Sequence, residues 1–137
     1  MSGVPYVATL ATSLGCGLNA GVFFAFSTFV MPALKRLPAA QAIAAMQSIN
    51  KLAVTPAFTA ALFGTAVACL GLVAWAAISS GERPAVLVIA GGALYLVGTI
   101  WVTITCNVPL NGGLATLHPK GAGAAGRWEE YVTTWTA

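Results

Sequence analysis

The sequence predicts an all-α membrane protein: a polytopic helix bundle with three visible spans, an amphipathic surface helix and the start of a fourth helix. Three observations carry that prediction. Charged residues make up 7% of the 137 residues and hydrophobic ones 58%, whereas soluble domains are about 25% charged. With a mean hydropathy of +0.87, the chain has too little polar surface to be wetted all round, so the lipid bilayer is its expected partner. Three apolar runs, about 6–30, 56–78 and 84–106, each supply the ~20 residues that cross a bilayer. The basic residues gather in the connections between runs. The net charge of +3 is small and not clustered, which excludes a nucleic-acid footprint. By length, residues 1–137 form a single transmembrane helical domain.

The first span carries no charge before Lys35. It lacks the basic start of a secretory signal, so it is kept as part of the mature protein. Gly17 and Gly21 form a GxxxG motif, which lets helices approach closely in lipid. Packing there against other membrane helices, including a second copy of the chain, is expected. Asn19, Phe23, Phe26 and Ser27 share one helical stripe. Asn19 is the strongly polar group in mid-span, suited to an interhelical hydrogen bond or to a substrate contact. Met31-Pro32 is expected to close the span, with Lys35 and Arg36 as interface anchors.

Pro38 opens a shorter helix to about Lys51. Ala39, Ala42, Ile43, Met46, Ile49 and Asn50 line one side of it, with Gln41, Gln47 and Ser48 off that side. This reads as an amphipathic helix on the membrane surface, though Asn50 is odd at the end of an apolar stripe. Thr55-Pro56 has the form of an N-cap with proline at the first helical position, and begins the second span. Ser79 to Pro84 reads as a tight polar turn.

In the third span Gly92, Tyr95, Thr99, Thr103 and Cys106 make a small and polar stripe leading to Asn107-Val108-Pro109-Leu110-Asn111. Pro109 lacks a backbone donor and interrupts the helix. The amides beside it need partners, because an unsatisfied amide in a dry place is costly. Asn50, Asn107 and Asn111 are therefore expected to converge, with Trp128 and Tyr131 closing over them. Beyond a Gly/Ala-rich loop, Arg127 starts a last helical segment with Trp128, Tyr131 and Trp135 on one face.

Lys35, Arg36 and Lys51 follow span one, and Lys120 and Arg127 follow span three, while Glu82 and Arg83 cancel between spans two and three. The positive-inside rule puts the N-terminus outside, in the plasma membrane. Cys16, Cys69 and Cys106 fall in different runs, with no CxxC and no Cys–His spacing. They read as free buried thiols, and no metal site is expected.

Five motifs occur in order: Ala20-Gly21-Val22-Phe23-Phe24-Ala25-Phe26-Ser27, Met31-Pro32-Ala33-Leu34, Met46-Gln47-Ser48-Ile49-Asn50, Asn107-Val108-Pro109-Leu110-Asn111 and the Trp128, Tyr131, Trp135 triplet. Together they resemble the anthrone oxygenase-like family of small membrane proteins. The resemblance implies a four-helix fold, so a truncated fourth span is expected after Ala137. It also implies oxidation of a hydrophobic polycyclic phenol by O2 with no cofactor. In that chemistry hydrogen-bond donors stabilise the substrate anion. Asn19, Asn50, Thr103, Asn107, Asn111, Trp128 and Tyr131 are the candidate substrate-binding residues, and His118 and Tyr131 the catalytic candidates. Two other readings stand beside this one: a non-enzymatic accessory or scaffold subunit of a membrane assembly, and a binding protein for a lipophilic, quinone-like molecule.

Overall fold

A computed structural model of the chain describes residues 3–79 and 83–136. Of the polar turn expected at Ser79 to Pro84, residues 80–82 lie outside them, and Arg83 and Pro84 already belong to a helix. Every regular element among the described residues is helical: α1 (Val4–Ala25), α2 (Met31–Lys35), α3 (Ala39–Ala53), α4 (Pro56–Ile78), α5 (Arg83–Leu94), α6 (Val108–Ala115) and α7 (Ala124–Trp135). Wider π-helical turns at Phe26–Val30, Tyr95–Trp101 and Thr103–Asn107 join α1 to α2 and α5 to α6. Three helical stretches are long and apolar enough to cross a membrane: Val4–Lys35, Pro56–Ile78 and Ala85–Ala115. The protein is thus an all-α membrane protein.

Pro32 does not close its helix and Pro109 does not interrupt the helical path, contrary to what proline alone would suggest. Each sits at the start of a new α-helical segment directly after a π-helical turn. A proline in a helix removes one donor and crowds the carbonyl four residues back. A wider turn just before it takes up both defects, so the helical path continues to Lys35 and to Ala115. The last helix also begins earlier than Arg127. Gly123 takes a left-handed φ of 78° immediately before it, a conformation that glycine adopts freely. Ala124 is already buried in the core, so the Ala-rich piece is helix and not loop.

The chain folds as two compact units. The first holds residues 1–20 and 56–102. Glycines set the close approaches within it. A Cβ at Gly15 would run into the Thr65 hydroxyl, and one at Gly92 into Val73. Asn19, 1% exposed, donates to the Gly15 carbonyl at 2.9 Å and to the Ala61 carbonyl at 3.1 Å. The Tyr95 hydroxyl donates to the Leu62 carbonyl at 2.9 Å. Interhelical hydrogen bonds of this kind contribute about 0.6–2 kcal/mol in lipid. Nothing packs within 4 Å of the Cβ position at Gly17 or Gly21, so the close intrachain contacts of α1 fall on Gly15 and not on the GxxxG pair.

The second unit holds residues 21–55 and 103–137. Its core is built by Met31 and Leu34 from α2, Ala42, Ile43 and Met46 from α3, Leu114 from α6, and Ala124, Trp128, Tyr131 and Val132 from α7. The buried residues of α3 are those of the apolar stripe read from the sequence. Gln47, beside that stripe, donates from Nε2 to the carbonyls of Leu114 and Leu117, both at 2.8 Å. The last carbonyls of a helix have no partner within it, so this one amide caps the end of α6 and ties α3 to it.

Candidate functional site

The second unit contains an open groove of about 640 Å³ between the Thr103–Asn107 turn with α6 on one side and α7 on the other. Pro109, Leu110, Leu114 and Leu117 supply its apolar wall, and Gly113 leaves its floor clear. A Cβ at Gly113 would meet nothing within 4 Å. The polar side of the groove comes from α7: Arg127, Glu130, Tyr131 and Thr134. Sites of this size and mixed lining are typical of small-molecule pockets.

Tyr131 joins the groove to the core. It is 4% exposed, stacks on Trp128 with ring centroids 5.5 Å apart, and donates from its hydroxyl to Oδ1 of Asn111 at 2.7 Å. Burial pushes its pKa up to about 12, while the Asn50 amide beside the hydroxyl works the other way by favouring the phenolate. The Asn50 Nδ2 is itself fully enclosed and completes no hydrogen bond. A buried donor without an acceptor costs about 1–3 kcal/mol, so it marks a place where an acceptor is wanted. The Thr103 hydroxyl and the Trp135 indole N–H are enclosed and unpaired in the same way. Trp135 packs against Phe26, ring centroids 5.9 Å apart.

The structure therefore brings Asn50 and Asn111, from α3 and α6, to one tyrosine hydroxyl on α7. Asn107 lies one turn before Asn111, half-buried and without a side-chain capping bond. Trp128 supports Tyr131 from the core side and does not line the groove. Asn19 belongs to the first unit, with its amide donating to two carbonyls there. His118 is exposed in the turn after α6 and does not line the groove. Among the described residues no group of three His, Cys, Asp or Glu side chains is placed to hold a metal ion.

A family model described as anthrone oxygenase matches residues 52–137, well over half of the chain and the whole of α4 to α7. The chain belongs to the anthrone oxygenase family. No curated protein and no solved structure matches it.

The matched segment holds every residue that lines the groove. Asn50 precedes it by two positions. Sequence reasoning missed Gln47, Gly113, Glu130 and Thr134. Arg127, Glu130 and Thr134 do recur at i, i+3 and i+7, on the edge of α7 next to Tyr131. In the sequence that stripe looks like any solvated helix edge, because nothing there says that α6 lies alongside.

Proposed function

We propose that this anthrone oxygenase family member binds a flat, lipophilic polycyclic phenol in the groove between α6 and α7 and presents it to O2. The overall conversion takes an aromatic ketone with a ring methylene, plus O2, to the quinone plus water, and uses no cofactor. The observation that carries the reading is the unpaired Asn50 amide beside the protonated Tyr131 hydroxyl. Removing a proton from such a substrate puts negative charge on its oxygen. The Asn50 amide N–H, enclosed and without an acceptor, is the donor that would stabilise that charge. Tyr131 keeps its proton to about pH 12 and gives it to Oδ1 of Asn111 in a hydrogen bond, so its part is to hold the amides in place and not to act as a base.

The membrane orientation belongs to the same proposal. By the positive-inside rule, Lys35, Arg36, Lys51, Lys120 and Arg127 support a groove at the cytoplasmic face of the plasma membrane with the N-terminus outside. A substrate dissolved in the bilayer then enters from the lipid side. Accessibility labelling that puts Lys35 and Lys120 on opposite sides of the membrane overturns the orientation.

A second reading, an accessory subunit of a membrane assembly, draws on the open space over Gly17 and Gly21, where a helix of another chain would fit.

The test is anthrone added to the purified protein in nanodiscs, with binding, O2 uptake and quinone formation followed together. The expected result is saturable binding and quinone formation above the protein-free rate. Gly113→Leu fills open space and should abolish binding without loss of stability, while Gly112→Leu, outside the groove lining, should leave binding intact. Asn50→Ala should lower turnover while stability stays the same or rises, because its amide nitrogen has no partner to lose. Binding without O2 uptake reduces the protein to a carrier. No binding at all favours the accessory reading.

A further inference from the structure

We infer that Glu130 is the proton acceptor of this site, an assignment that rests on the oxygenase reading above. Oxidation of a ring methylene to a carbonyl removes two hydrogens from one carbon, and each must leave as a proton to some base. The groove offers few candidates. Among its lining residues Glu130 alone carries a carboxylate. Arg127 is cationic, Thr105 and Thr134 carry hydroxyls of very low acidity, and Cys106 carries a thiol, a weak acceptor that lies 3.6 Å from the Thr105 hydroxyl. Tyr131 holds its own proton, and the imidazole of His118 is not in the lining.

The placement on α7 is selective. Glu129 and Glu130 are neighbours and both are exposed, yet only Glu130 lines the groove. It sits next to Tyr131 in sequence and one turn after Arg127, so a base and a cation reach the same groove from one helix face. Successive residues of a helix point about 100° apart, so Glu129 stays out of the groove that Glu130 lines, which makes Glu129 an internal control.

The chemistry balances with O2 as the oxidant. The Glu130 carboxylate takes one methylene proton, leaving an enolate whose oxygen accepts a hydrogen bond from the Asn50 amide. The enolate carbon forms a bond to O2 through two transferred electrons, giving a peroxide anion. The protonated Glu130 returns its proton to that anion, making a hydroperoxide. The carboxylate then takes the remaining hydrogen from the same carbon as a proton. The C–H electron pair forms the carbonyl, the O–O bond breaks, and hydroxide leaves to collect the proton from Glu130 as water. One carboxylate thus serves both proton transfers and ends as it began.

Proton abstraction can be read apart from oxidation. Anthrone is incubated with the protein under nitrogen in deuterated water, and deuterium entering the methylene is followed. The wild type should exchange well above the protein-free rate. Glu130→Gln should lose about 100-fold or more of that acceleration, the usual scale for a positioned base, while still binding anthrone. Glu130→Asp should retain an intermediate rate, and Glu129→Gln the full rate. Added acetate should partly restore exchange in Glu130→Ala, which a structural role would not allow. Exchange by Glu130→Gln within threefold of wild type, or an equal loss in Glu129→Gln, overturns the assignment. If Glu130→Gln fails to fold, Glu130→Asp decides: a reduced rate supports the assignment and an unchanged one overturns it. A wild type that exchanges under nitrogen but forms no quinone in air keeps the base and overturns the oxygenase reading. A wild type that binds and oxidises while Glu130→Gln exchanges normally does the reverse.

Discussion

The hydroxyl of Tyr131 donates a 2.7 Å hydrogen bond to Oδ1 of Asn111, and this bond joins the one buried tyrosine of α7 to the amide that follows Pro109. A short, part-buried bond of this kind holds α6 and α7 together.

Asn111→Ala leaves the Tyr131 hydroxyl without its acceptor. The expected loss is about 1–3 kcal/mol, and Tyr131→Phe should cost a similar or smaller amount. In the double variant the two losses should not add, with a coupling of roughly 0.5–3 kcal/mol. Unfolding in detergent, followed by tryptophan fluorescence, measures all three. Additive losses would show that the bond does not act as a unit.

Alkaline titration reports on the same residue. Burial raises Tyr131 from 10.0 to about 12, so the folded protein holds this proton more tightly than the unfolded chain does. Stability from this group is complete below pH 10 and falls away as the pH rises from 10 towards 12. The phenolate absorbance of Tyr131, isolated by difference from Tyr131→Phe, should appear only near pH 12. The variant should show a flatter alkaline decline in stability.

Gln47 holds two carbonyls at the end of α6 with one amide. Gln47→Met keeps the length of the side chain and removes the donor. It should destabilise the packing of α3 on α6 by about 1–3 kcal/mol. Hydrogen exchange should quicken first at the C-terminal end of α6. Unchanged exchange there would mean that the packed apolar face of α3 suffices.

The glycines of α1 separate packing within the chain from packing between chains. Gly15→Leu forces a side chain into Thr65 and should cost about 1–3 kcal/mol of stability. Gly21→Leu enters open space and should leave the monomer's melting temperature unchanged. If the GxxxG face holds another helix, Gly21→Leu should lower the oligomeric fraction seen by crosslinking. Unchanged crosslinking with Gly21→Leu would remove that face as an interface.

The sequence by itself determined the solvent of this protein, and through it the fold class. With 7% charged residues, the apolar runs have only lipid or each other to face, and in lipid a helix satisfies its own backbone. It also marked the apolar face of α3, because a periodicity of 3.6 is a local property of the chain. It marked Asn50 and Asn111 as groups in need of partners, since an amide among apolar residues is costly wherever the fold puts it, and Tyr131 as a residue to close over them. The tertiary structure decided which groups meet. Whether Pro109 ends a helix or is absorbed by a π-helical turn depends on what packs against the next turn, and Leu114 is buried there. Gln47 and Glu130 look alike in sequence, polar residues at the edge of an amphipathic helix. Only the lie of α3 and α7 along α6 turns one into a cap and the other into a groove residue. Gly15, not Gly17 or Gly21, takes the close contact because helix rotation sets which small residue faces Thr65, and local sequence does not encode that rotation.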